Sequence, residues 1–376
     1  MDCFITDYGT SRLPGSDSAA LEDSIMHKGR PVTAGSKILE NFISPIDATV
    51  VTRLEDAGVT ILGKTKMDEF GTAGLFADAT AVTSGAVSAV ADGIAAFALC
   101  NDYTGSVRKQ AAEQGICHIH PTYGTVSRYG LISAVSSMDQ IGALAKKPAE
   151  CFRVLALIAG HDAKDGAMYT DEGLKDTKVK FDPLKYDKTL KVGLPVNVLA
   201  STNNSAAVTE FFTGFDLVEF ELKYFDVFGQ IMQILCCAEI SASLSRYDGI
   251  KFGYRAADFR NLRELYTKSR TEAFGRDAKL ASIIGAMTLS QQNYARYYDK
   301  AMRIRRLIKE SLEFDKYDII AMPVPYLAYS LNFGALPQLC GLPALTLPFD
   351  GGGLALIANA LREDVLCAFL RQKGLD

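Results

Sequence analysis

No Cys-x-x-Cys pair occurs in this chain of 376 residues; its eight cysteines are scattered, and only Cys236 and Cys237 are adjacent. That spacing gives no disulfide framework and no zinc ribbon, and it points to a reducing compartment with buried thiols. Basic excess is missing too. Lys and Arg number 40 against 44 Asp and Glu, a net charge of −4, so the chain as a whole has no electrostatic case for a nucleic-acid surface. No run reads as a membrane span, and no membrane insertion is expected. The closest, Ala81 to Cys100, carries Asp92, three hydroxyl residues and two glycines, and reads as a packed internal helix. The first twenty residues are acidic and polar, unlike a signal or transit peptide. Either no cleaved presequence is used or it lies outside this sequence. Internal repeats and low-complexity segments are also lacking.

What is there suits a sizeable core: 48% of residues are hydrophobic and 22% charged. Residues 1–20 have turn chemistry and read as an N-terminal arm. A helix follows Asp47, a plausible N-cap, with Val50, Val51 and Leu54 inward and Gly58 as its stop. Val59 to Leu62 then reads as a buried strand, a helix–strand unit of an α/β fold. Residues 71–87 read as a loop, 88–100 and 148–159 as helices, and 190–195 as a strand. The second half reads as largely helical, with Val227 to Leu244 the longest helix, two or three more over 270–314, and buried strands at 318–323 and 342–348.

The chemistry-bearing stretch is Leu99 to Gly124. Asp102-Tyr103-Thr104-Gly105-Ser106-Val107-Arg108 sets a serine just after a Thr-Gly turn and two residues before an arginine. Pro121 to Leu131 (PTYGTVSRYGL), Ser137 to Gly142 (SMDQIG) and Gly63 to Phe70 (GKTKMDEF) complete a block that resembles the amidase signature family, and within it the A subunits of glutamine-dependent Glu-tRNA amidotransferases. The likeness runs from about Ala20 to Pro348. It implies an α/β fold with a mixed central β-sheet sandwiched by α-helices, here a single domain over 21–376 after the arm.

The same resemblance implies a serine–serine–lysine triad, in which a neutral lysine draws a proton through one serine from the nucleophilic serine, and backbone N–H groups of a glycine turn bind the oxyanion. The nucleophile falls on Ser106, the middle serine on Ser84 and the oxyanion turn on Thr104-Gly105. Glu22 stands where the lysine belongs. Its ordinary carboxylate pKa, about 4.3, suits a neutral-pH base poorly, and alone it reads more readily as a solvated or ion-paired surface residue. Val82, Thr83, Val87 and Thr104 replace glycines of the two catalytic turns, so the cis peptide expected before Ser84 is not expected to survive. Of the substrate contacts Tyr247 remains, whereas Ala278 to Gly285 has lost both arginines and Leu331 falls near the aspartate position.

These losses lead to the expectation of a catalytically inactive structural or assembly subunit. The alternative is a working glutaminase subunit using Ser106, and a third reading keeps the cleft for another small amide. Other protein subunits are the expected partners, with RNA reached only through them. No cofactor and no metal are expected: His118 and His120 share a strand face beside Cys117, but no third ligand is identified. The basic residues Arg296, Lys300, Arg303, Arg305, Arg306 and Lys309 read as a solvated helix face. By resemblance the location is mitochondrial, or cytoplasmic for bacterial relatives.

Overall fold

The computed structural model describes residues 3–10, 17–76, 83–170, 172, 188–325, 330–349 and 352–375. Its centre is one mixed sheet, built from β1 (Phe4–Asp7), β2 (Ser18–Glu22), β3 (Thr60–Thr65), β4 (Phe97–Asn101), β5 (Cys117–His120), β6 (Ile141–Ala145), β7 (Lys191–Pro195), β8 (Asp216–Phe220), β9 (Ile319–Pro325), β10 (Ala344–Phe349) and β11 (Gly352–Ala358). The order across it is β1-β3-β2-β4-β6-β5-β10-β11-β9-β7-β8. Strands β3, β2 and β4 run parallel, as do β9, β7 and β8, and the strands between these groups pair antiparallel. The boundary at residue 20 falls inside β2, and residues 4–7 add an edge strand to β3.

Short apolar runs buried on both faces suit a sheet covered on both sides. Successive side chains of β4 alternate: Phe97 and Leu99 enter one core cluster, Ala98 and Cys100 another. The first cluster is roofed by α1 (Thr49–Asp56), α4 (Pro148–Ile158) and α10 (Glu363–Lys373). The opposite face carries α2 (Gly85–Ala91) and α3 (Ser106–Glu113) near β4. Farther along it lie α5 (Phe228–Leu244), α7 (Arg276–Leu289) and α9 (Leu331–Cys340), while α6 (Leu262–Ala273) and α8 (Lys300–Glu310) complete that side. Helices α5 and α7 meet closely at Gly285, where a Cβ would sit 2.0 Å from the Cys237 carbonyl oxygen.

Some expectations change here. Asp47 does not cap α1. Ala48 holds the cap position, and Asp47 instead accepts the Lys28 N–H at 2.7 Å. The helix expected over 88–100 begins at Gly85 and ends at Ala91, because Gly93 turns left-handed at φ +69° and frees Phe97–Asn101 to pair as β4. No run reads as a span from the sequence, but among the described residues Phe225–Leu244 is long and apolar enough to cross a bilayer. It lies largely buried within the core, and its Glu239 accepts hydrogen bonds from Ser137. On α8 the basic face is mixed. Arg303 and Arg306 are exposed and paired with Asp299 and Glu310, whereas Arg305 turns in to the carbonyls of Leu339 and Ser137.

Candidate active site

The parallel strands β2 and β4 end side by side, and in open α/β sheets such carboxyl ends are where ligands bind. Strand β2 delivers Glu22, with Ser24 two residues on. Strand β4 delivers Asn101, then a tight turn, then α3 with Ser106 as its first residue. The turn closes because Gly105 takes φ +83°, a conformation suited to glycine, while its N–H donates to Asp102 Oδ1 at 2.7 Å. Ser106 therefore sits on the positive end of a helix, among N–H groups without intrahelical acceptors. Its own N–H reaches only Thr104 Oγ1, at 3.3 Å, and the Thr104 hydroxyl donates to Ser106 Oγ at 2.9 Å.

Glu22, Ser24, Asp68, Asn101, Thr104 and Ser106 line one pocket with Met67, Phe70, Gly71 and Tyr103 among its walls. Its free volume is about 20 Å³, room for about one water. The wall over Ser106 is held close: Tyr103 Oη donates to the Phe70 carbonyl at 2.8 Å, and a Cβ on Gly74 would meet Thr104 Oγ1 at 2.6 Å. Phe70 is itself left-handed, at φ +51°, and stacks on Tyr247 with ring centroids 5.4 Å apart. Tyr247 thus stands behind the pocket wall and not on its surface.

Glu22 departs from the surface reading. It is 3% exposed, and its polar partners are the Ser24 hydroxyl, donating to Oε1 at 2.5 Å, and the Asn101 N–H at 3.2 Å. Burial raises its pKa from 4.5 to about 8 against those two hydrogen bonds, with the carboxylates of Asp68 and Asp102 adding to the rise. The objection that a glutamate titrates too low for this position is thereby removed. Burial likewise raises Asp68 to about 6, opposed by the Ala73 N–H. Lys64 of β3 is fully buried with no hydrogen-bond partner for Nζ, and burial lowers it to about 8 against the pull of Asp23 and Glu22.

On the far side of the turn lies a second buried group. Asp102 Oδ2 accepts from Arg108 Nε at 2.7 Å and from Gln338 Nε2 at 3.1 Å, with His120 Nδ1 at 3.6 Å. Burial alone would raise this carboxyl, but Arg108 and His120 outweigh it and hold it well below the usual range. Arg108 also donates to the Gly334 carbonyl at 2.6 Å, tying α3 to α9. His118 and His120 are both buried on β5, and burial lowers His118 to about 3.

Of the expected site residues, the fold brings Glu22, Thr104, Gly105 and Ser106 together. Ser84 is outside the pocket. It caps α2, its N–H donates to Gln110 Oε1 on α3 at 2.7 Å, and its Oγ is buried without a partner. Val82 lies outside the described residues, and no described peptide bond is cis. Val87, expected in a loop, is a buried residue of α2. Ala278 and Ala281 are buried in α7 and carry no charge toward the site. Ser24, Asp68 and Asn101 went unnoticed in the sequence, although Ser24 is only two residues from Glu22 on an extended segment.

The sequence model of the amidase family matches residues 19–76 and 81–333. The glutamyl-tRNA(Gln) amidotransferase A chain from Trichodesmium erythraeum is 37% identical, covering 92% of this chain and 81% of its own. The corresponding protein of Lachnoclostridium phytofermentans is 38% identical, covering 88% and 74%. Among solved structures, the protein of the same name from Thermotoga maritima superposes with a TM-score of 0.72 at 24% identity, over 97% of this chain and 85% of that one. The peptide amidase of Stenotrophomonas maltophilia superposes with a TM-score of 0.75 at 24% identity, over 95% and 82%. The two structures share the fold. The expectation of a catalytically inactive scaffold is overturned by the two sequence relatives, which carry an amidotransferase's name at this identity over most of the chain.

Proposed function

The chain belongs to the amidase family, and from that premise we propose that it is the amide-hydrolysing component of a glutamyl-tRNA(Gln) amidotransferase, with Ser106 as nucleophile. The observation that carries this reading is the placing of Ser106 on the first turn of α3, facing a pocket at the ends of β2 and β4. Ser106 Oγ attacks the carboxamide carbon of glutamine, ammonia leaves, and water hydrolyses the acyl ester. The oxyanion is met by the positive end of α3, where Gly105 brings the backbone close. Thr104 orients the Ser106 hydroxyl through their 2.9 Å hydrogen bond.

The ammonia serves the amidation of Glu-tRNA(Gln) on partner subunits. A net charge of −4 fits a chain that leaves tRNA binding to those partners. The free pocket holds about one water, so a glutamine side chain enters only as the wall at residues 67–71 yields.

The test is glutamine-dependent ammonia release by the chain assembled with its partner subunits. Ser106→Ala is expected to lower it by several orders of magnitude. Equal rates for wild type and Ser106→Ala would end this reading.

A further inference from the structure

Ser106 needs a proton acceptor, and the lysine that the family resemblance expects is absent. The fold also places the expected middle serine, Ser84, outside the pocket, tied to Gln110. What faces Ser106 across the one-water pocket is a different pair. Ser24 and Glu22 both line it, and the Ser24 hydroxyl already points its proton at Glu22 Oε1, 2.5 Å away. Asn101 holds the same carboxyl oxygen. Its N–H donates to Glu22 Oε1, while its own side chain is locked by Asp139 at 2.8 Å and by the Gln140 N–H at 2.9 Å.

Resting on the amidase reading above, we propose that Ser24 and Glu22 form the proton path of Ser106, with Glu22 as the terminal acceptor. The Ser106 hydroxyl proton passes through one water to Ser24 Oγ as the Ser24 proton moves to Glu22 Oε1, and Ser106 Oγ bonds to the carboxamide carbon. When the adduct collapses, the C–N bond breaks and Glu22 returns the proton along the same path to the leaving nitrogen, giving ammonia and the acyl ester. Water then attacks the ester and loses its proton to Glu22, and the proton returns to Ser106 as the C–O bond breaks. Glu22 ends each turnover ionised, as it began.

The groups that set this acceptor are all fixed. Asp23 follows it on the chain, Lys64 and Asp68 face it from β3 and the segment after it, and Cys100, Asp102 and Arg108 come from β4 and α3. Asp139 acts through Asn101. Burial, with the carboxylates of Asp68 and Asp102 adding to it, is what brings Glu22 to about 8, a value matched to a base working near neutral pH.

The experiment measures glutamine-dependent ammonia release across pH, and labelling of Ser106 by a serine-directed phosphonate, with the chain in its complex. Glu22→Gln, confirmed folded by an unchanged melting profile at about pH 4, is expected to lose about 10²–10⁴-fold in kcat/KM and in labelling rate. The wild-type rise in rate with pH toward 8 should vanish with it. Ser24→Ala in the Glu22→Gln background should cost little more than Glu22→Gln alone, as members of one path do. Glu22→Asp should keep the pH limb at a lower rate. A folded Glu22→Gln that keeps both rate and limb would overturn the path and leave Ser106 as nucleophile. Wild type no faster than Ser106→Ala would remove the amidase reading and this path together. A Glu22→Lys variant faster than wild type would show that the carboxyl obstructs the site, which also overturns the proposal.

Discussion

Asp102 and Glu22 are carboxyls removed from water at the ends of two neighbouring strands, β4 and β2, one on each side of the Ser106 turn. Asp102 meets a guanidinium, an amide and an imidazole, and stays charged. Glu22 meets one hydroxyl and one backbone N–H, and holds its proton to about 8. Equal burial therefore gives opposite protonation, and the partner decides which. The charged carboxyl is framework: it shapes Gly105 and anchors α3 through Arg108. The other has no such partner, and once ionised, as pH rises toward 8, it can accept and return a proton. A site needs both kinds, and here they stand at the ends of neighbouring strands.

The comparison breaks most visibly at Asp102. Asp102→Asn keeps the shape but leaves Arg108 buried without its counter-charge, an expected loss of about 3–5 kcal/mol in chemical denaturation. An unchanged midpoint would mean that the pair contributes nothing to the framework.

Stability against pH sharpens it next. The native state holds an extra proton on Glu22 between 4.5 and about 8, so stability falls as pH rises through that window. His118 has the opposite sign. Its native value, about 3, lies below the ordinary 6.5, so the unfolded chain binds the extra proton and stability falls as pH drops from 6.5 toward 3. Each limb is on the order of a few kcal/mol. Glu22→Gln should flatten the alkaline fall, making the variant more stable than wild type at pH 8 and equal to it near pH 4. His118→Leu should flatten the acid one. Denaturation midpoints across pH check both, and a variant whose curve parallels the wild type would contradict the assignment of its limb. The smallest effect is expected on the pocket wall. Tyr103→Phe removes one buried hydrogen bond to Phe70, about 1 kcal/mol by thermal unfolding.

The framework side was the more legible in the sequence. Val50, Val51 and Leu54 showed their buried face at helical spacing, and Gly58 marked the stop. Ser106 stood out through its turn and its arginine. Other features had no local signal. Leu331–Cys340 is a helix with Pro337 inside it, a residue that argues against helix, and the paired glycines at Gly352 and Gly353 open a strand that reads as a turn. Glu22 was the instructive miss. Glu-Asp-Ser after an apolar run reads as a strand leaving the core for water, but tertiary contact from Asn101 and the 67–71 wall closes over it. Burial made by distant segments has no sequence period, so the pKa of such a group is read only from the fold.

The sheet order carries a consequence for how the chain is made. Within the sheet, strands β1 to β6 are joined to strands β7 to β9 by the hairpin of β10 and β11, which follows both in sequence: β10 pairs with β5 and β11 with β9. Until residue 358 has left the ribosome, each half presents an unpaired edge, β5 on one and β9 on the other. Such edges recruit foreign strands, so nascent chains paused before that hairpin are the species most exposed to misassembly and most in need of a chaperone.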